Sequence, residues 1–542
     1  MPTSLPERPD LDQLRRQAKD LHRAARAGSP QAVERFRTYL PLRPGAAFTL
    51  SAAQLVLARE HGLPSWPALV AEAHARTQSL VERLTDLVAG SVRGHFDPPG
   101  IRRGWAERAV RLLAENPDVT GYDIRVAAVL GDAPRIADML ARDPDAALRP
   151  DDQAGWPPLL FVCSSRWHQI DPSRSAGLVE TARVLLDAGA DPNSAVGRSP
   201  QAGHCSALYA AAGLANHPAL ARLLLERGAD PDTPSALYHT AFHPDHACLR
   251  LLLEHGARDE GTYTLGAAIS VADTEAVRLL LDAGVDPRAP IPGDAFGEAD
   301  DQEAAVVTVR AAIQWRGDAQ MIELLLAHGA DADAGVAADG PSAYQLAARR
   351  GDPTILDLLR RYGARDDSTI VDRFLGACAR SDRAAANILL RAHPGLISRL
   401  STRDLAVLVD AAEYLGVEAI ALMLDLGFPV DVHRDGDGAT ALHAAAYTGR
   451  AELVRLLIAA GADIEARDTA FDGTPLPWAS VGSGSPPRHH PDGDWVAAVQ
   501  ALLDAGANTD SAWIPGKPPS DEVAALLLAH GIGPADEPTC AS

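Results

Sequence analysis

The chain predicts an all-α fold: an α-solenoid of about eleven or twelve stacked helix–turn–helix repeats behind an N-terminal helical cap. Three observations carry that expectation. A Leu-rich run closing on glycine recurs at Gly189, Gly228, Gly256, Gly284, Gly329, Gly363, Gly427, Gly461, Gly506 and Gly531, as in VLLDAGADPN and LLLAHGADAD. The successive spacings are 39, 28, 28, 45, 34, 64, 34, 45 and 25 residues. The 64 spans about two periods, with ILLRAHPGLI filling the gap and His393 standing where glycine would. Finally, one well-kept unit, DGATALHAAAYTGRAELVRLLIAAGADIEARD (437–468), holds two short helical periodicities in succession.

The chemistry of a unit is readable in order. A short apolar helix ends at a glycine, which takes the left-handed conformation without a Cβ penalty. Asp-Pro or Asp-x then opens a turn. An Ala-rich helix follows, and Leu442, Ala445, Ala446, Leu453, Leu456 and Leu457 fall on inward faces. No unit of this size buries its apolar face alone, so stability must come from stacking.

Before about residue 93 the pattern changes to a separate helical leader. Asp10 begins a predicted helix to about Ala27, stopped by Gly28; Pro30–Leu40, Ser51–His61 and Trp66–Val88 follow. The leader reads as a cap over the first repeat, since terminal repeats need polar outer faces, with an independent binding module as the alternative. The expected division is 1–93 leader, 94–533 solenoid and 534–542 disordered tail.

Segments such as GATALHAAAYTGRAELVRLLIAAGADIEARD and GPSAYQLAARRGDPTILDLLRRYGARDD resemble ankyrin repeats, whose period is about 33 residues. The resemblance runs in weaker copies from about Trp105 to about Ile532, and the leader, LDQLRRQAKDLHRAARAG with LVLAREHGLPSWPALV, resembles one attached to bacterial proteins of that kind. His443 keeps the histidine of the family's Thr-Pro-Leu-His motif, while Tyr209, Tyr238, Gln345 or Pro477 stand there in other units. The two short spacings imply trimmed fingers before Leu237 and Leu265. Insertions at 164–177 and 482–494 lie between the two helices of their units, and 288–303 replaces a finger.

The resemblance implies an intracellular protein-interaction scaffold that binds a partner protein through its concave inner helices and finger loops. Aromatics make up 5% of residues, so their placement carries information. Phe242, Trp315 and Tyr447 align two residues before the inter-helix turn, with Trp478 two positions earlier in its unit. These four are the candidate partner-binding residues; packing between neighbouring inner helices is the competing reading. The alternative function is an enzyme or small-molecule binder whose site is built by the rim insertions, for instance with Trp167, His168 and Arg174.

Composition narrows the partner. The 50 Lys and Arg against 72 Asp and Glu give a net charge of −22, which disfavours nucleic acid and anionic membranes and favours a basic protein. Lys19 and Lys517 are the sole lysines, a sign of GC-rich, bacterial coding. Cys163, Cys205, Cys248, Cys378 and Cys540 form no close pairs, which suits the reducing cytoplasm. The polar N-terminus is no signal peptide, and no stretch reaches membrane-spanning length.

No catalytic or cofactor motif is found, and the expectation is a protein without enzyme activity, cofactor or metal. DVHRDGDG (431–438) lacks the glutamate of a calcium loop at Leu442 and reads as a finger tip. His239, His243, His246 and Cys248 carry zinc-ligand chemistry, but Cys248 falls on an inward face. His489, His490 and Asp492 read as a solvated loop.

Overall fold

The computed structural model describes residues 11–39, 48, 50–61, 69, 105–116, 123–151, 155–197, 204–233, 235–259, 263–289, 291, 308–333, 341–487, 490–509, 512–514 and 519–532. They fall into two compact units, 1–92 with 107–190, and 93–106 with 191–542.

In the first unit the leader forms helices Leu11–Arg26, Pro30–Tyr39 and Leu50–Glu60. Leu21, Ala25, Ala32, Phe36, Ala53 and Val56 close a small core among them, and Arg35 grips Glu60 through two hydrogen bonds of 2.7 and 2.6 Å. The helix expected over Trp66–Val88 lies, apart from Leu69, outside the described residues, as does the tail 534–542. Two helix pairs follow: Ile124–Leu130 with Ala133–Arg142, and Pro158–Cys163 with Ser175–Asp187. The insertion between the second pair is itself folded, as helix Trp167–Ile170 and the tight turn Pro172–Arg174.

The second unit holds nine helix pairs among its described residues, from Tyr209–Leu214 with Pro218–Glu226 to Pro475–Gly484 with Trp495–Asp504, and ends in helix Asp521–Ala529. The sole strands described are Ala195–Gly197 and His204–Ser206, paired antiparallel as a finger ahead of the first pair. After Gly228 the chain reaches helix Ala236–Thr240 with no strand among the described residues, as the trimmed spacing requires.

Sequence chemistry sets each turn. The closing glycines have positive φ, for example 88° at Gly461, and a Cβ there would meet nothing within 4 Å. The requirement is therefore purely conformational. Gly461→Ala is expected to cost about 1–2 kcal/mol, the left-handed penalty for an L-residue, measured as a shift in the denaturant midpoint at unchanged m. After four of the glycines the aspartate two residues on folds back on its own chain: Asp191, Asp230, Asp331 and Asp463 accept from the N–H two residues further along at 2.8–3.0 Å. The residue at that second position, or its equivalent, then receives an N–H from the next repeat, as in Asp230 to Asn193 (2.8 Å), Arg258 to Asp232 (2.8 Å) and Asp463 to Asp431 (2.9 Å).

Within the best-kept unit Leu442, Ala445, Ala446, Leu453 and Leu457 are fully buried, while Leu456 is half-buried and Val454 is buried beside Leu453. His393 does not replace the closing glycine in kind. Its φ is −130°, because the following Pro394 pushes it to extended backbone, and the left-handed residue is Gly395 at 80°.

Candidate partner-binding face

In three of the inner helices a polar side chain in the first turn is fastened to a neighbouring repeat. Nδ1 of His443 accepts from the Thr440 N–H at 3.2 Å, closing a capping box, and Nε2 donates to the carbonyl of Gly473 at 3.1 Å. Gln345 does the same: its oxygen accepts from the Ser342 N–H (3.0 Å) and its amide donates to Asp367 O (3.1 Å). Asp372 accepts from the Thr369 N–H at 2.7 Å and from Arg349 of the preceding repeat at 2.5 Å. A long polar side chain with an acceptor near and a reach beyond suffices, so histidine is one solution among several.

The candidate aromatics divide into separate places. Phe242 is half-buried, with Tyr238 edge-on at 5.3 Å and His239 at 6.4 Å; Tyr209 of the previous inner helix stands 4.8 Å from His239. Tyr447 and Trp478 meet edge-on at 5.7 Å across neighbouring inner helices. Trp478 is the fourth residue of its helix and Tyr447 the seventh, so the offset is three, one more than the sequence alignment places there. Trp315 follows helix Thr308–Gln314 as its eighth position, and it matches Thr448 rather than Tyr447. The reason is one extra residue in its turn: left-handed Arg316 (φ 65°) closes the inner helix, Asp318 caps the outer one, and Gly317 lies between.

A residue the sequence reading passed over completes the second group. Phe471, at the tip of the finger before Trp478, is 70% exposed and stands 6.3 Å from the Trp478 ring. Buried Asp468 builds that tip, accepting from the N–H groups of Ala470, Phe471 and Gly473 and from Trp478 Nε1 at 2.6–2.9 Å. The signal available in sequence was an aromatic between acids, DTAFDG, at a predicted finger.

Acidic groups surround this aromatic run. Arg434 donates to Asp437 (2.6 Å), Asp410 (3.2 Å) and Glu413 (3.1 Å), one guanidinium among three carboxylates. Asp410 keeps 46% side-chain exposure, and burial pushes its pKa up against the pull of Arg434. Burial raises the Tyr447 hydroxyl, with the Glu413 charge adding to it. Arg316 lies over the Tyr414 ring at 5.0 Å.

The other histidines are spent on structure. Nδ1 of His239 donates to Ser235 O at 2.9 Å and Nε2 accepts from the Tyr209 hydroxyl at 3.3 Å. His243 Nε2 bonds Gly213 O (2.7 Å), and His246 Nε2 meets Asp273 (2.9 Å). Cys248 is buried, its thiol pushed up to about 12 by burial. Among the described residues no group of three or more His, Cys, Asp or Glu is placed to hold a metal ion. His490 departs from the solvated-loop expectation: it is half-buried and its Nε2 bonds Glu413 O at 2.8 Å, so that end of the insertion is anchored two repeats back. His489 lies outside the described residues. In the early insertion Trp167 is a core residue, while Arg174 is exposed 3.4 Å from Asp171. Most of 288–303 lies outside the described residues. No helix among the described residues is long and apolar enough to cross a membrane.

The ankyrin-repeat family matches residues 207–290 and 374–468, in three copies. Among solved structures the chain is similar to the human ASB11 ankyrin repeat domain, at 22% identity, covering 45% of this chain and 98% of that one, with a TM-score of 0.21. No curated protein matches it. With the glycine-closed helix pairs and the capping-box fasteners, the family match supports one conclusion: residues 207–290 and 374–468 are ankyrin repeats.

Proposed function

We propose that this protein is a cytoplasmic interaction scaffold and that Phe471, Trp478 and Tyr447 form its anchor for a basic partner protein. Ankyrin repeats generally mediate protein–protein interaction, and the observation that carries the reading is a solvent-open Phe471 edge-on to Trp478, itself edge-on to Tyr447, with Glu413 near Tyr447 and sharing Arg434 with Asp410 and Asp437. Aromatic anchors concentrate binding energy at interfaces, and ring faces next to acids attract an arginine or lysine. Phe242 and Trp315 are secondary contacts in this reading.

The test is crosslinking from position 471, in the native host, with the partner then purified for titration. Trp478→Ala is expected to weaken that complex by about 2 kcal/mol, the scale of an interface hot spot, with Phe471→Ser nearly as damaging. Affinity should also fall steadily as salt rises. An affinity unmoved by both substitutions would place the interface elsewhere. A complex indifferent to salt would remove the basic partner while leaving the aromatic anchor standing.

A further inference from the structure

The finger that carries Phe471 and the finger one repeat before it close alike but are braced differently. In the earlier one the Arg434 N–H donates to Ala439 O at 2.9 Å, and in the later one the Asp468 N–H donates to Gly473 O at 3.0 Å. Both turn on a left-handed residue, Gly438 (φ 70°) and Asp472 (φ 52°). The earlier tip residue is Asp437, whose carboxylate is spent on its own finger. It accepts from Arg434 at 2.6 Å and from the Ala439 N–H at 3.0 Å.

Phe471 holds the matching place one repeat later, and there the bracing carboxylate has moved to the base of the finger. Oδ1 of buried Asp468 accepts from the Ala470 and Phe471 N–H groups at 2.9 and 2.6 Å. Its Oδ2 accepts from the Gly473 N–H and from Trp478 Nε1, both at 2.9 Å. A tip held from below needs nothing from its own side chain, and the Phe471 ring is left exposed. The finger is held from the side as well. Thr469 and Ala470 donate their N–H groups to Asp437 O at 2.8 and 3.2 Å, and a Cβ on Gly438 would strike Thr469.

One carboxylate thus fixes the backbone beneath one ring and the indole of the next. All its bonded groups are N–H donors, a set that suits aspartate. Asparagine has the same shape but would turn an NH2 toward two of them and leave buried donors opposed. Rings already in place spare a partner the cost of ordering a loop and two side chains.

We propose that Asp468 is the positioning residue of the aromatic anchor: without touching a partner, it presets Phe471 and Trp478 in the arrangement that a partner meets. The role rests on the reading of Phe471, Trp478 and Tyr447 as the anchor.

The free full chain is isotopically labelled at its tryptophan indole nitrogens, and the Trp478 signal is assigned by its loss in Trp478→Phe. In the wild type this indole N–H should exchange slowly with water. In Asp468→Asn it should shift and exchange about ten- to hundredfold faster, the span of a hydrogen bond to a charged group. Affinity for the partner protein crosslinked from position 471 should fall about tenfold in the same variant, the cost of ordering the freed rings. Gly461→Ala, which strains the preceding helix closure and touches neither ring, is the control for lost stability and should leave signal and affinity unchanged. Fast indole exchange in the wild type, a measurement that needs no variant, overturns the assignment. So does an unmoved signal in Asp468→Asn, or an affinity loss that Gly461→Ala reproduces. Unchanged affinity in Trp478→Ala and Phe471→Ser, with the indole signal moved in Asp468→Asn, removes the anchor itself and the role with it, so the two failures are distinct.

Discussion

Gly482→Ala is expected to destabilise the second unit by about 3 kcal/mol, the upper range for forcing a methyl into a packed interior. Gly482 lies in helix Pro475–Gly484, where its Cα faces the carbonyl of Tyr447 on the preceding inner helix. A Cβ would collide with that oxygen and come within 2.9 Å of Trp495 Nε1. The same Nε1 donates to Tyr447 O at 3.0 Å, so the methyl also displaces a partly buried hydrogen bond. Backbone cannot retreat as a side-chain tip can, and relief requires the two repeats to part. Gly376 makes the matching approach to Ala348 O three repeats earlier, and Gly376→Ala should behave alike. Urea unfolding of both variants beside Gly461→Ala separates the two uses of glycine. The conformational site should cost the smaller amount, and equal costs would refute the distinction.

Acid should loosen the fold well before its carboxylates titrate. His239 is held neutral by burial, its pKa pushed down to about 4 from 6.5, and burial lowers His443 as well. The bonding agrees: each ring has one nitrogen accepting and the other donating to a backbone carbonyl, an arrangement a second proton would break. Between pH 6.5 and 4 the unfolded chain binds protons at these sites that the folded chain refuses. Stability is therefore complete above about pH 6.5 and falls as pH falls toward 4, by up to about 3 kcal/mol for His239. Chemical denaturation across pH 7.5 to 4.5 measures it. His239→Gln should flatten part of the slope, and a slope unchanged by that substitution would place the proton uptake elsewhere.

What the sequence made legible is what repeats locally. A glycine after a Leu-rich run, an aspartate after the glycine and alanines on one helical face are each dictated within a few residues, and all three stand in the structure. Contacts that span repeats were not legible. Nothing near Gly482 announces Tyr447 O, and nothing near Arg434 shows that Asp410 and Glu413 reach it from the preceding repeat. Register suffered likewise: the extra Gly317 is invisible until Arg316 and Asp318 are seen doing two jobs that one-residue-shorter turns join. Phe471 escaped because a finger-tip aromatic has no periodicity to betray it. The candidate residues were chosen by aligned position, yet ring contact depends on which repeats lie side by side, and so Tyr447 and Trp478 meet while Phe242 belongs to another group.

The contacts that skip a repeat have a thermodynamic meaning. In an ideal stack each unit feels its two neighbours, and unfolding can begin anywhere and spread like the fraying of a zipper. Arg316 over Tyr414, Arg349 on Asp404 and His490 on Glu413 tie units that are second or third neighbours. Opening any one unit between them gives up ties on both sides, so partial opening gains little entropy for what it loses. The stretch from Thr308 to Trp495 is therefore expected to open as a single cooperative block, and units tied solely to their neighbours to open singly.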